Sequence, residues 1–218
     1  MMQRGRFITI EGGEGVGKST QIAAVRDALS RAGLDVVLTR EPGGTARAER
    51  IRSLLLEPSD EPMPQTCELL LMFAARATHI ENVIRPALMR GTWIVCDRFT
   101  DATYAYQGGG RNVPHEQIAM LETLVQGALR PDLTVLLDAP IEIAMARARE
   151  RNTSRGNVDG DRFEREQSAF FERVRAAYLR IADTEPGRVK IVDASRPLLQ
   201  VEASVRACVA DFLAEQRA

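Results

Sequence analysis

The feature that most constrains the fold is a glycine-rich segment near the amino terminus, Gly12-Gly13-Glu14-Gly15-Val16-Gly17-Lys18-Ser19. It fits the pattern G-x-x-x-x-G-K-[ST] and joins an apolar run at residues 7–10 to a segment of helical periodicity at residues 19–32. Glycines allow successive backbone N–H groups to point inward, and such a strand-to-helix loop surrounds the phosphates of a nucleoside triphosphate. This context predicts an α/β protein that binds a triphosphate.

Apolar runs alternate with amphipathic segments along the rest of the chain. The patterns predict strands at residues 7–10, 35–39, 93–96, 133–137 and 189–192. They predict helices at residues 19–32, 46–56, 68–89, 114–129, 140–151, 162–183 and 197–215, with Pro86 as a kink or boundary and Gly108-Gly109-Gly110 as a loop. The expected fold is α/β with three layers, a five-stranded parallel sheet flanked by helices, in a single domain over residues 1–218.

Composition and charge narrow the class of protein. A length of 218 residues suits one α/β domain, and a formal net charge of −1 gives no support for nucleic-acid binding. No apolar run is long enough to span a membrane and the amino terminus lacks a signal-peptide core, so a cytoplasmic location is expected. Cys67, Cys96 and Cys208 are widely spaced without a C-x-x-C pair, which predicts free thiols rather than disulfides or a zinc site.

The glycine-rich loop has expected roles toward ATP. Lys18 can reach the β- and γ-phosphates, and the Ser19 hydroxyl can bind Mg²⁺. Asp97, after the third predicted strand, is expected to hold Mg²⁺ through water. The expected ATP-binding residues are Gly12, Gly13, Glu14, Gly15, Val16, Gly17, Lys18, Ser19, Thr20 and Arg147.

Three classes of triphosphate-binding protein fit such a loop: a motor or regulatory ATPase, a GTPase switch and a small-molecule kinase. The guanine-reading pattern N-K-x-D is absent from the sequence, which argues against a GTPase. A motor-type ATPase usually has an acidic pair after an apolar strand, whereas here Asp97-Arg98 follows the strand. Because an arginine suits an anionic acceptor better than a hydrolytic water, a kinase is favoured.

Several short motifs, in this order, resemble the thymidylate kinases of the bacterial type over nearly the whole chain. They are R-E-P-G-G-T at residues 40–45, L-L-M-F-A-A-R at 70–76, D-R-F at 97–99, Y-Q-G-G-G-R at 106–111 and D-R-F-E at 161–164. The resemblance implies transfer of the γ-phosphoryl group of ATP to dTMP with Mg²⁺, and a homodimer with residues 68–89 as a contact surface. The alternatives are a kinase for UMP, CMP or a deoxynucleoside, and a non-catalytic ATP-binding protein.

The resemblance also implies how the acceptor binds. A monophosphate needs a cationic clamp, for which Arg98 is the first choice and Arg40 and Arg76 are further candidates. Phe73 is expected to stack on thymine, although it lies three residues before Arg76 where the family often has four; Met72 takes that fourth position. The other expected substrate-binding residues are Glu11 near the acceptor phosphate and metal, Glu41 near the deoxyribose hydroxyl, Thr103 and Gln107 near the base, Tyr106 near the sugar where it disfavours a 2′-hydroxyl, and Phe163.

A polar, arginine-rich stretch at about residues 148–162 is expected to form a lid that closes over ATP. The variable positions of the glycine-rich loop carry no arginine, so the chain resembles the type whose catalytic arginine is in the lid. Arg151 and Arg155 are preferred for this role over Arg147, Arg149 and Arg162, and they join Lys18, Arg98 and Glu11 as expected catalytic residues. The segment 193–197 either supports adenine or is an ordinary connection.

Histidines have no expected catalytic role, because phosphoryl transfer to an already ionised phosphate needs no strong base. His79 is expected on a helix surface or at an interface, and His115 at a helix amino terminus. Trp93, which begins a strand, is expected in the core.

Overall fold

A computed structural model describes residues 4–154, 162–163 and 166–216, without the side chains of Asn152 and Ser154. Its centre is a five-stranded parallel sheet with the strand order β2-β3-β1-β4-β5. The strands are β1 (Phe7–Glu11), β2 (Val36–Arg40), β3 (Trp93–Asp97), β4 (Leu133–Asp138) and β5 (Val189–Asp193). The predicted sheet is confirmed. Every strand ends in a charged residue, so the carboxyl edge of the sheet is polar.

Helices cover both faces of the sheet, which confirms the three-layer arrangement. They are α1 (Lys18–Arg31), α2 (Ala46–Leu56), α3 (Gln65–His79), α4 (Arg85–Met89), α5 (Thr100–Thr103), α6 (His115–Gln126), α7 (Ile141–Ser154), α8 (Ser168–Thr184) and α9 (Leu198–Glu215). On one face, Ile8 and Ile10 pack with Val25 of α1 and Val205 of α9. On the other face, residues of β1 and β3 pack with α4 and the segment before it.

The long helix predicted at residues 68–89 is not regular. α3 continues into a π-helical segment, Ile80–Ile84, and then into α4, whose second residue is Pro86. Proline has no N–H and its ring clashes with the carbonyl four residues earlier, so a widened turn just before it accommodates both defects. The predicted irregularity near Pro86 is confirmed, and its form is a π-helical segment rather than a sharp kink.

The prediction of a loop at residues 108–110 is wrong. Tyr104–Gly110 forms a π-helical segment that follows α5 directly. Gly109 and Gly110 pack closely against α8, because a Cβ on Gly109 would lie 2.6 Å from the Cβ of Ala177, and Gly108 faces His115 and Ile118 of α6. The sequence signal of three glycines therefore reflects close helix packing rather than a turn.

The helix predicted at residues 162–183 begins later, at Ser168. Arg162 and Phe163 form a turn instead, since the Arg162 N–H donates to the carbonyl of Leu56 rather than to a helical neighbour. Arg162 Nε also donates to the Leu55 carbonyl at 2.8 Å. These two bonds fix the turn to the end of α2.

Other expectations from sequence have mixed outcomes. Trp93 is buried, His115 is the first residue of α6, and the three cysteines are free thiols, as predicted. His79 is fully buried, so its predicted place on a surface or at an interface is wrong. Among the described helices, none is long and apolar enough to cross a membrane.

Candidate active site

The glycine-rich loop lies between the end of β1 and the start of α1, in the setting predicted from sequence. Gly15 has φ +72°, and a Cβ at this position would collide with the Ala144 carbonyl of α7. Gly17, which precedes α1, has φ +89°. Both backbone conformations favour glycine, so the motif is required both by the turn and by the close packing of the loop on α7.

Lys18 folds back over this loop. Its Nζ donates to the Gly13 carbonyl at 2.7 Å and to the Gly12 carbonyl at 3.3 Å. Burial and the nearby positive charge of Arg98 lower the pKa of Lys18. The ammonium is therefore held at the mouth of the loop, where a bound phosphate would meet it together with the backbone N–H groups.

Arg98 follows β3, and its side chain contacts the glycine-rich loop. Its Nη2 donates to Glu14 Oε1 at 2.5 Å and to Tyr106 Oη at 2.8 Å. Arg98 has φ +66°, a backbone conformation that residues other than glycine rarely adopt. Residues held in such conformations are concentrated at active sites. Burial would raise the pKa of Glu14, but the positive charges of Arg98 and Lys18 outweigh it and lower that pKa.

Arg151 is a third arginine or lysine whose charge acts on Glu14, besides Arg98 and Lys18. This residue lies in the last turn of α7 and is half-buried. Its positive charge contributes to the lowered pKa of Glu14, which places the end of α7 beside the loop. Arg155, the second predicted lid arginine, lies outside the described residues, as do all positions of the predicted lid from 155 to 161.

Glu11 is fully buried at the end of β1. One carboxylate oxygen accepts the Phe99 N–H at 2.6 Å and the other accepts the Tyr178 hydroxyl at 2.7 Å. Burial and the negative charge of Asp101 raise the pKa of Glu11 to about 8. Glu11 therefore fixes the backbone that follows Arg98 and ties β1 to α8.

Asp97 and Ser19 are the residues expected near a metal ion. Asp97 Oδ1 is buried, and no donor from the described residues bonds to it. Ser19 is exposed in the first turn of α1. An unpaired carboxylate oxygen and a hydroxyl are ligands of the kind that Mg²⁺ takes, usually together with substrate phosphates. The described residues hold no cluster of three or more His, Cys, Asp or Glu suited to a metal.

A cavity open to solvent lies beside Arg98 at the carboxyl edge of the sheet, with about 650 Å³ of empty space when the adjoining open solvent is included. This is the place where open α/β sheets bind ligands. Its lining brings together many of the predicted substrate-binding residues. These are Glu41, Arg76, Arg98, Thr103, Tyr106, Gln107 and Phe163.

Arg76 lines this cavity above a buried ion-pair network. Arg76 Nε donates to Glu41 Oε2 at 2.7 Å, and Arg76 Nη2 donates to Thr103 Oγ1 at 2.9 Å. Arg76 Nη1 is buried and, among the described residues, bonds to nothing. His79 Nδ1 lies 2.8 Å from the other oxygen of Glu41, and His79 Nε2 lies 2.6 Å from Thr39 Oγ1. Both carboxylate oxygens of Glu41 are therefore engaged by protein groups.

Three predicted substrate-binding residues lie outside this lining: Glu11, whose contacts are given above, Arg40 and Phe73. Arg40 is exposed and pairs with Glu49 at 2.8 Å. Phe73 is 1% exposed and packs in a core cluster with Leu69 and Ile118, while Met72 lines the cavity in its place. Stacking of a base on Phe73 therefore stays a prediction.

Arg147, predicted to bind ATP, joins α7 to the segment after β5. Its guanidinium donates to the Ala194 carbonyl at 2.6 Å and to the Ser195 carbonyl at 3.2 Å. These bonds fix residues 194–195 beside α7 and the glycine-rich loop. These bonds are compatible with both interpretations of residues 193–197, as a support for adenine and as an ordinary connection.

Sequence reasoning missed three buried side chains that organise the site: Glu68, His79 and Tyr178. Glu68 accepts the Gln107 amide at 2.8 Å, and the contacts of the other two are given above. A signal was present only for Glu68 and His79, which lie eight residues before and three residues after Arg76. These spacings place both on the helix face that carries Arg76.

Comparisons with known proteins agree with this geometry. The sequence model of the family described as thymidylate kinase matches residues 10–205. A thymidylate kinase of Chromohalobacter salexigens is 58% identical over 98% of this chain and 99% of its own length. One of Ectopseudomonas mendocina is 56% identical over 96% and 97% of the two chains.

A solved structure shares the arrangement of strands and helices. The thymidylate kinase of Ehrlichia chaffeensis superposes with a TM-score of 0.72, at 31% identity, over 96% of this chain and 99% of that chain. The match supports the α/β fold built around the phosphate-binding loop. The chain belongs to the thymidylate kinase family.

Proposed function

We propose that this protein transfers the γ-phosphoryl group of ATP to dTMP, giving ADP and dTDP for dTTP synthesis. The observation that carries the proposal is the position of Arg98, which lies between the phosphate-binding loop and the adjacent cavity and contacts both. A donor in the loop and an acceptor in the cavity would meet at this guanidinium. Phosphoryl transfer depends mainly on such positioning and charge stabilisation.

The donor site is assigned to the glycine-rich loop. The loop N–H groups and Lys18 would hold the β- and γ-phosphates, and the amino terminus of α1 adds its positive dipole end. The arrangement fits Mg²⁺, because Asp97 Oδ1 lacks a partner among the described residues and Ser19 offers a hydroxyl. When bound, Mg²⁺ would neutralise charge on the phosphates.

The acceptor site is assigned to the cavity. Arg98 would clamp the acceptor phosphate, and its left-handed backbone, fixed through Glu11 and the Phe99 N–H, aims it there. Tyr106 holds Arg98 and would pack near the sugar. Arg76 Nη1, which has no partner among the described residues, is a donor suited to a carbonyl oxygen such as O4 of thymine. The acceptor oxygen is already ionised, so no general base is required.

The lid at residues 148–162 and its catalytic arginine are part of the proposal. Arg151 is favoured because its charge already acts on Glu14 of the loop. Its guanidinium would stabilise charge on the transferring group, and closure of the segment would exclude water. Replacing Arg151 and Arg155 together by Ala should lower kcat far more than it weakens dTMP binding.

A substrate panel tests the activity. Under identical conditions dTMP should be phosphorylated faster than dCMP, UMP and CMP; faster turnover of UMP or CMP would reject the assigned acceptor. Lys18→Ala should abolish transfer while circular dichroism shows an unchanged fold, and surviving transfer would contradict the donor site. For the lid, Arg149→Ala is a matched control, because Arg149 lies on the same helix and is exposed.

A homodimer and a cytoplasmic location stay predictions. Exposed Leu70 on α3, together with exposed Met120 and Leu124 on α6, supports a contact surface that includes part of residues 68–89. Light scattering with size-exclusion chromatography should give a mass near twice the 24.1 kDa of the chain. A monomeric mass at micromolar concentration would reject the dimer.

A further inference from the structure

Glu68 is a buried carboxylate in the first turn of α3, with 1% of its surface exposed. Its Oε1 accepts a hydrogen bond from Gln107 Nε2 at 2.8 Å. Its Oε2 lies 2.6 Å from Arg162 Nη2, an ion pair without the angle of a hydrogen bond, and Arg111 Nε lies 3.5 Å from Oε1. Gln107 lines the substrate cavity and Glu68 lies behind it.

The chemistry of this pair fixes which way the Gln107 amide points. A carboxylate offers only acceptors, whereas a glutamine amide has one oxygen that accepts and one nitrogen that donates. The nitrogen must therefore face Glu68, whose other oxygen is paired with Arg162. The oxygen is left over, and none of the described residues donates to it. Gln107 consequently has an acceptor available for a ligand in the cavity.

We propose that Glu68 is a positioning residue that sets base specificity by orienting the Gln107 amide; this rests on the proposed dTMP kinase activity. Arg76 and Gln107 line the same cavity, so the Gln107 oxygen and Arg76 Nη1, a donor without a partner among the described residues, offer an acceptor and a donor to one ligand. Thymine presents the complementary pair, the O4 acceptor and the N3–H donor. Cytosine presents the opposite pair, an amino group and an unprotonated N3. The pair would therefore reject cytosine, because buried polar groups would be left unpaired.

A purely structural role for Glu68 makes a different prediction. Through Arg162, Glu68 also holds the turn at residues 162–163 to α3. If that were its whole function, its loss would affect all acceptor nucleotides alike. Comparing dCMP with dUMP separates the two roles. Uracil has the same O4 and N3–H edge as thymine, so loss of a positioning residue should change the discrimination against dCMP and not that against dUMP.

The test is Glu68→Gln, which keeps the shape but removes the requirement that Gln107 donate. The ratio of kcat/KM for dTMP to that for dCMP should fall about tenfold, the equivalent of one hydrogen bond. The ratio of dTMP to dUMP should stay unchanged. Arg111→Gln is the matched control, because it removes a charge from Glu68 without touching the Gln107 amide. Its dTMP-to-dCMP ratio should stay close to that of the wild type.

A second variant shows whether the effect passes through Gln107. In a Gln107→Leu background, adding Glu68→Gln should leave the dTMP-to-dCMP ratio unchanged. The proposal is overturned if Glu68→Gln alone leaves that ratio unchanged, or if Arg111→Gln lowers it equally. Should Glu68→Gln not fold, Glu68→Asp gives the same test, because the shorter carboxylate withdraws from Gln107. A wild-type protein inactive on dTMP would instead reject the proposed function.

Discussion

The buried ion pair between Arg76 and Glu41 makes the stability of the fold depend on a residue of the substrate cavity. Both side chains are 3% exposed, and Glu41 is bonded on its other oxygen by His79. Arg76→Met keeps the length and much of the apolar stem but removes the charge. Glu41 would then be a buried carboxylate with one partner, and losing one member of such a pair costs about 3–5 kcal/mol.

Packing adds a smaller amount. The Arg76 guanidinium lies 4.7 Å from the centroid of the Phe73 ring and 5.1 Å from that of Phe99. Cation–π contacts of this kind contribute about 0.5–1 kcal/mol each, and a methionine recovers part of that through its sulfur. The loss of the ion pair therefore dominates, and Arg76→Met should lower the free energy of unfolding by about 3–5 kcal/mol.

Urea unfolding followed by circular dichroism measures this quantity, and a double-mutant cycle isolates the pair. Glu41→Gln combined with Arg76→Met leaves no unpaired charge, so the double variant should lose less stability than the sum of the single variants. The shortfall should reach about 2 kcal/mol or more. A cost below about 1 kcal/mol for Arg76→Met, or strict additivity, would refute the buried pair as described.

Further variants test other parts of the site. Gly44→Ala places a Cβ 2.5 Å from His79 Nε2 at φ +82°, so urea unfolding should show a loss of about 2 kcal/mol or more; native-like stability would contradict the tight packing on His79. Gly15→Ala should lower the melting temperature far more than Gly13→Ala, whose Cβ would meet nothing within 4 Å; equal effects would contradict the close approach to α7. Glu11→Gln should remove a pH dependence of stability. The pKa of Glu11 is about 8 when folded against an ordinary 4.5, so the folded state keeps a proton that the unfolded chain releases. Stability from this group is full below pH 4.5 and is lost as the pH rises toward 8, by at most about 5 kcal/mol. Parallel pH profiles of urea unfolding for wild type and variant would contradict this.

The sequence predicted the strands and the phosphate-binding loop because both depend on local patterns. Residues 93–96 are uniformly apolar and are followed by Asp97-Arg98, so the strand and its polar carboxyl end could be recognised together. The π-helical segments could not, because their cause is distant in sequence. Gly109 packs against Ala177, and nothing in the residues around Gly109 indicates that partner.

The sequence predicted many of the residues that line the substrate cavity, but not which side chains of α3 point into it. Positions three and four residues before Arg76 both share its helix face, so spacing alone did not choose between Phe73 and Met72. In the folded chain Phe73 packs in a core cluster with Leu69, and Met72 lines the cavity. The prediction that His79 lies on a helix surface or at an interface is wrong, because the side chain is fully buried. Its burial depends on Glu41 and Thr39, which reach it only in the folded chain.

The arrangement of α3 suggests why its sequence departs from simple amphipathicity. Glu68, Met72, Arg76 and His79 follow one another at spacings of four, four and three residues, which places them along one face. A regular helix would continue that face through Ile80 and Ile84, yet these two belong to the core cluster beneath the sheet. The π-helical segment at Ile80–Ile84 widens the turn between the two regions, and one additional residue shifts the helix face by about 100°. The same helix can thus present the sulfur of Met72 and the guanidinium of Arg76 to the substrate cavity first, and an apolar surface to the sheet afterwards.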